Sequence, residues 1–185
     1  MALARGATSS FSPTEIEFLA EDEPITIVPS QKLAQLDMIS GTYGPFRPPM
    51  KTKVPLWLAV TLKKKQKCNI QPPEWLDADR LQDLSKRERD EGSFSALPFH
   101  FMEIAQLLLD CASDDIPRAE LVKTLLKDLR EIRQSKAHQG LKQLGYDYLQ
   151  MDNLGLMEIN EIRPFFTKVF NQLRRLNAGD NAMEA

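Results

Sequence analysis

Between Phe101 and Leu176 the apolar residues recur at helical spacing, and this restricts the fold more than any other feature of the chain. "FMEIAQLLLDC" sets Phe101, Ile104, Ala105, Leu108 and Cys111 on one face, widened by Leu107 and Leu109. "IPRAELVKTLLKDLREIRQ" lines one side with Leu121, Val122, Leu125, Leu129 and Ile132. Lys123, Lys127, Arg130 and Glu131 fall largely opposite. "NLGLMEINEIRPFFTKVFNQLRRL" carries Leu156, Ile159, Ile162, Phe166, Val169, Leu173 and Leu176 at three- and four-residue intervals. Such a stripe is stable only when it is buried against another element. Stripes of this kind in succession predict an antiparallel helical bundle. Pro164 is expected to kink the last helix or divide it. Ala137 to Met151, with Gly140 and Gly145 and no regular period, reads as a loop.

The first third of the chain has a different character. "SPTE" at Ser12–Glu15 fits a capping box with Pro13 at the first helical position, so a short helix should run to Ala20. "ITIVP" at Ile25–Pro29 is β-branched and stopped by proline, hence a strand, and Gln35–Gly41 reads as a second one. "GTYGPFRPPM" is rich in turn residues that no helix accepts. From Pro55, "PLWLAVTLKKKQ" predicts a helix whose closing lysines suit the dipole at its C-terminus. After "CNIQPP" a polar helix should start at an Asp77 cap and stop at Gly92. The expected architecture is mainly α. A small β-rich N-terminal domain covers 1–52, a helical bundle of about five helices covers 53–177, and 178–185 form a flexible tail.

Composition narrows the function classes. The 185 residues carry a net charge of −2, with a pI near 5.8. A chain that grips nucleic acid by phosphate neutralisation is basic overall or has a large basic face. Here charge is segregated instead: residues 1–24 hold Glu15, Glu17, Glu21, Asp22 and Glu23 against Arg5, while 47–73 hold only basic residues and Glu74 follows. Cys68 and Cys111 have no CxxC spacing, which argues against a disulfide framework. No apolar run reaches the length of a membrane span.

Nothing in the motifs points to chemistry. Neither His100 nor His138 has a second ligand at metal-site spacing, and no GxSxG, Walker, GxGxxG or HExxH pattern occurs. His100 reads as a packed or half-exposed residue at a helix start, and Cys111 as a buried structural thiol. Asp114–Asp115 reads as a helix cap before Pro117, and Glu158 with Glu161 as a solvated face. No enzyme, cofactor or metal is expected. Trp57 is expected in the core and Trp75 as an anchor at the start of the next helix.

The lysine cluster Lys63, Lys64, Lys65 and Lys67 leaves two readings open. One is a solvated helix end; the other is a contact for phosphate or an acidic partner. As a stand-alone module, the second would bind nucleic acid in a salt-dependent way through the Lys63–Lys67 patch.

Taken in order, "EIEFLAEDEPITIVP", "GPFRP", "PLWLA", "KC" with "PPEWL", "DDIPRA" and "LMEINEIRPF" resemble the subunits of the eukaryotic GINS complex from Glu15 to Phe170. Both termini and the 137–151 stretch match poorly, and Gly155 is a weak helix former where the last helix begins. The resemblance implies a heterotetramer of four paralogous subunits, each with a helical A domain and a small β-rich B domain, here with the B domain first. It implies a non-catalytic nuclear scaffold that joins the MCM hexamer and the Cdc-forty-five protein in the replicative helicase. Initiation, elongation and break-induced replication would use that helicase, and the leading-strand polymerase would be linked indirectly. DNA would be met only within the assembly. The helices carry more apolar face than one short bundle buries. Leu121, Leu125, Leu129 and Ile132, with Leu156, Ile159, Ile162, Phe166, Val169 and Leu173, are therefore the expected interface.

Overall fold

The computed structural model describes residues 10–141 and 152–183, with side chains over 10–140 and 152–172. Helix α1 (Pro13–Ala20) starts at the expected capping box. Ser12 Oγ accepts from the Glu15 amide at 3.3 Å, and Glu15 Oε2 accepts from the Ser12 amide at 2.7 Å. Strand β1 (Pro24–Pro29) follows, then the hairpin of β2 (Leu36–Met38) and β3 (Gly41–Tyr43). Gly41 has φ +144°, a conformation side chains rarely adopt, so the sharp turn needs glycine there.

The main sheet has the order β4-β1-β5, antiparallel throughout, with β4 at Thr52–Pro55 and β5 at Cys68–Gln71. Ile25 and Ile27 of β1 point inward, opposite Val54 and Ile70. The sheet therefore runs past residue 52, where composition alone would end the first module. It takes in "CNIQ", which reads in sequence as a connector. Four residues between lysines and prolines show little alternation on their own; pairing with β1 makes them a strand.

Helix α2 (Leu56–Lys64) buries Leu56, Leu58, Ala59 and Leu62 between that sheet and helix α4 (Phe101–Cys111). Helix α3 (Ala78–Asp90) starts on the Asp77 cap, whose Oδ2 accepts from Asp79 N at 3.1 Å. Helix α5 (Ala119–Leu141) packs along α3. One hydrophobic core runs without a break from Ile25 and Ile27 through Leu58, Leu81, Phe101 and Leu108 to Leu129. Trp57 lies half-buried at its rim, edge-on to Tyr43, and Trp75 packs against it as an anchor. Cys111 is half-buried rather than enclosed.

The expected loop from Ala137 is corrected at its start. Helix α5 continues through Leu141, so 137–141 are helical; residues 142–151 of the expected loop lie outside the described residues. Ala137 packs with Ile162 and Phe166, and this contact outweighs the weak helix preference of Gly140. Helix α6 (Leu156–Met183) is undivided at Pro164 and includes 178–183 of the expected flexible tail. Pro164 is exposed, so the carbonyl it leaves unpaired one turn earlier can face water.

Candidate subunit interface and the polar ties behind it

Lys63 sits in the last turn of α2 with its side chain only 11% exposed. Its Nζ lies 2.8 Å from Asp114 Oδ2 and 2.8 Å from Asp115 Oδ2. Asp115 Oδ2 also accepts from the Ile70 amide at 2.7 Å, so one carboxylate joins α2, β5 and the turn before α5. Burial works against the ammonium, but the bonds to Asp114 and Asp115 outweigh it and raise the Lys63 pKa. The Lys63 bond holds the Asp114 carboxyl below its ordinary range. The Asp pair therefore ties sheet to bundle instead of capping α5, which starts only at Ala119. Burial, helped by Asp115, pushes the nearby Cys68 thiol up to about 11, which keeps it protonated and unreactive. The lysine cluster thus divides: Lys63 turns inward, Lys64 and Lys65 are exposed, and Lys67 is half-buried.

A second tie centres on Arg133, whose side chain is fully buried. Its Nε and Nη2 grip Glu158 Oε1 and Oε2 at 2.6 and 2.9 Å, a two-pronged bond that fits carboxylate geometry. Nη1 reaches Glu88 Oε2 at 3.3 Å and the Ser95 carbonyl at 3.2 Å, and Nη2 donates to the Asn153 carbonyl at 2.6 Å. Lys136 Nζ completes Glu88 at 2.9 Å and donates to the carbonyls of Glu91 and Ser93. The rings of Phe94 and Phe101 lie 5.1 and 5.6 Å from the guanidinium carbon. Burial opposes the Arg133 charge, but the bonds to Glu158 and Glu88 prevail and raise its pKa. Burial likewise opposes the Glu88 charge, yet the Lys136 and Ser95 bonds bring its pKa below the ordinary 4.5.

This cluster fixes the start of α6 against α3 and α5, and it corrects the solvated reading of Glu158, which is 7% exposed. Glu161 is paired as well, with Arg130 and Gln134. Gly155 is buried and donates its amide to Glu158 Oε2 at 2.9 Å. A Cβ there would stand 3.0 Å from the Phe101 ring and 3.1 Å from the Phe99 carbonyl, so close approach explains the glycine. Sequence reasoning missed Arg133. The available signal was that Val122, Leu126, Leu129, Arg133 and Ala137 form a stripe one step around α5 from Leu121, Leu125 and Ile132. That stripe is the buried one.

The expected interface residues are accordingly split. Leu129, Ile162 and Phe166 are buried inside the chain, at 0%, 6% and 7% exposure. Leu125, Ile132, Leu156, Ile159 and Val169 are half-buried, and Leu121 is exposed. The side chain of Leu173 lies outside the described residues. On α6, Phe165 faces outward at 45% exposure, beside His138 at a ring distance of 5.8 Å. His138 belongs to α5, where its Nδ1 meets the Gln134 carbonyl at 2.7 Å. His100 stands half-buried at the start of α4. Among the described residues no group of three or more His, Cys, Asp or Glu could hold a metal ion, and no helix is long and apolar enough to cross a membrane.

Residues 12–71 match the family model of the PSF2 N-terminal domain, and residues 75–177 match that of the GINS complex protein helical bundle domain. The junction between them falls at Pro72, Pro73 and Glu74, between β5 and α3. The DNA replication complex GINS protein psf2 of Schizosaccharomyces pombe is 47% identical, across 95% of this chain and 96% of its own. The DNA replication complex GINS protein PSF2 of Xenopus laevis is 42% identical, across 88% and 90%. Its human counterpart is 39% identical, across 92% and 95%. A sheet module sharing one core with a helical bundle, matched over both parts, makes this a subunit of the GINS complex of DNA replication. Among those subunits, the chain belongs to the PSF2 family.

Proposed function

We propose that the chain is a non-catalytic structural subunit of a heterotetrameric GINS complex, with the three paralogous subunits as its direct partners. Within the nucleus that complex joins the MCM hexamer and the Cdc-forty-five protein as part of the replicative helicase. It serves initiation, elongation and break-induced replication and links indirectly to the leading-strand polymerase. The observation that carries this reading is the family match over nearly the whole chain. Leu121 and Phe165, on the two helices expected to meet the partners, keep apolar side chains exposed and so available to a partner.

The test is co-expression with the three paralogues, followed by native mass measurement. A four-chain species is expected. Leu121→Asp and Phe165→Asp should deplete it while the chain still unfolds in one cooperative thermal transition, since neither position lies in the buried core. A full tetramer with both variants would remove α5 and α6 as the interface, and a wild-type chain that stays monomeric beside its paralogues would overturn the reading. The rival, a stand-alone nucleic-acid module, is weakened because Lys63 is already paired inside the chain.

A further inference from the structure

Helix α1 carries much of its apolar surface on the outside. Of its residues only Ile16 and Ala20 are buried. Phe18 is 72% exposed, Leu19 46% and the preceding Phe11 42%. Phe11, Thr14, Glu15, Phe18 and Leu19 line one shallow groove, at a spacing that follows a single helix face.

The groove is held firmly. The capping box fixes the first turn of the helix, and the Asn160 side chain clamps Phe11, accepting from its amide at 2.8 Å and donating to its carbonyl at 2.8 Å. At the other end the carbonyls of Glu21 and Glu23 accept from the amides of Trp57 and Leu56. The cap of α1 and the contacts from α6 and α2 thus hold an apolar face open to water.

The segment that carries the groove and follows it is acidic. Glu17, Glu21, Asp22 and Glu23 follow along the same short segment, and none forms a salt bridge among the described residues. Burial and then repulsion from Glu17 and Asp22 raise the Glu21 pKa, against an opposing effect of Lys64. A second copy of this chain seated symmetrically on α1 would bring the same carboxylates against these, and an anionic lipid surface would be repelled.

We propose that this face of α1 is a docking surface for a short apolar segment of a partner chain flanked by lysines or arginines. Phe11, Phe18 and Leu19 would receive the apolar side chains, and Glu17, Asp22 and Glu23 the flanking cations. The surface borders α6 through the Asn160 clamp, but its own apolar residues, Phe11, Phe18 and Leu19, are distinct from those assigned to subunit assembly, and it does not depend on that assignment.

The experiment uses the full chain and fluorescent helical peptides with a Leu/Phe stripe. One peptide has lysine flanks and its twin has glutamate flanks. The lysine-flanked probe should bind, and the glutamate-flanked twin should bind at least about tenfold more weakly. Phe18→Ser with Leu19→Ser should weaken the lysine-flanked probe about tenfold without lowering the melting temperature, because both side chains are exposed. Glu17→Lys with Asp22→Lys should weaken it similarly, and it decides the matter if the serine variant melts early. Equal binding by the charge-reversed variant, or by the glutamate-flanked twin, overturns the proposal. In the co-expressed assembly Phe18→Ser with Leu19→Ser should leave the four-chain mass unchanged. Loss of a subunit would instead make α1 part of the subunit interface and refute its separateness.

Discussion

Arg133 is the side chain at the centre of the polar cluster that joins α3, α5 and α6. It is wholly buried; it supplies the ion pair of the buried Glu158 and shares Glu88 with Lys136. Removing one partner of such a group costs about 3–5 kcal/mol, far more than the pair's net worth against an apolar substitute. Arg133→Met should therefore lower stability by about that much in a denaturant titration. Gly155→Ala should also destabilise, by about 1–3 kcal/mol, because the new methyl group meets the Phe101 ring and a backbone carbonyl.

Two of the buried acids in and beside this region, Glu88 and Glu103, respond oppositely to pH. The folded-state pKa of Glu88 lies below its unfolded 4.5, so its contribution is complete above 4.5 and is lost as pH falls through the folded value. Glu88→Gln should flatten that acid limb in melting temperature measured against pH. Glu103 is the reverse. Burial raises its pKa, and although Oε1 accepts from Met157 N at 3.1 Å, Oε2 has no partner among the described residues. Its charge is thus a growing liability as pH rises from 4.5 to the folded value, and constant beyond it. Glu103→Gln keeps the Met157 bond, and its effect on melting temperature should be more favourable at pH 7 than at pH 4.

At the scale of the elements, what could be read in the sequence was what is local. The capping box of α1 and the Asp77 cap of α3 are settled within a few residues, and the structure has both. The amphipathic stripe of α5 also announced a helix, but the choice of its buried side depended on which neighbours supplied carboxylates for Arg133. Strand β5 and the inward turn of Lys63 were not legible for the same reason: β1, Asp114 and Asp115 lie far away in sequence. Lys63 to Lys67 look equivalent as letters and are not equivalent as side chains. Lys63→Gln should cost about 1–3 kcal/mol, the cost of leaving buried polar groups less satisfied. Lys64→Gln and Lys65→Gln, at exposed positions, should stay within about 0.5 kcal/mol of wild type. Equal effects at the three positions in parallel thermal melts would refute the division of the cluster.

At the scale of the whole molecule, the two matched segments meet at the prolines before α3 yet share one interior. Ile27, Leu58, Leu81, Phe101 and Leu129 belong to the same core, and the Lys63–Asp115 tie crosses from sheet to bundle behind it. A boundary with so many apolar contacts across it is unlike a linker between independent domains. The sheet module is also too small to bury a self-sufficient core. Folding should accordingly be a single cooperative event for both segments. The two tryptophans make this measurable, since Trp57 lies in the segment 12–71 and Trp75 opens the segment 75–177. Trp57→Phe leaves Trp75 to report on the bundle, and Trp75→Phe leaves Trp57 to report on the module. Fluorescence of each variant, followed through the same urea titration with far-ultraviolet circular dichroism alongside, should give one midpoint by both methods. The two variants should share the same slope, because the slope reports the surface exposed on unfolding and one unit exposes all of it. If the Trp57 signal is lost at lower urea than the circular dichroism, the module opens before the bundle, and the shared core does not couple them.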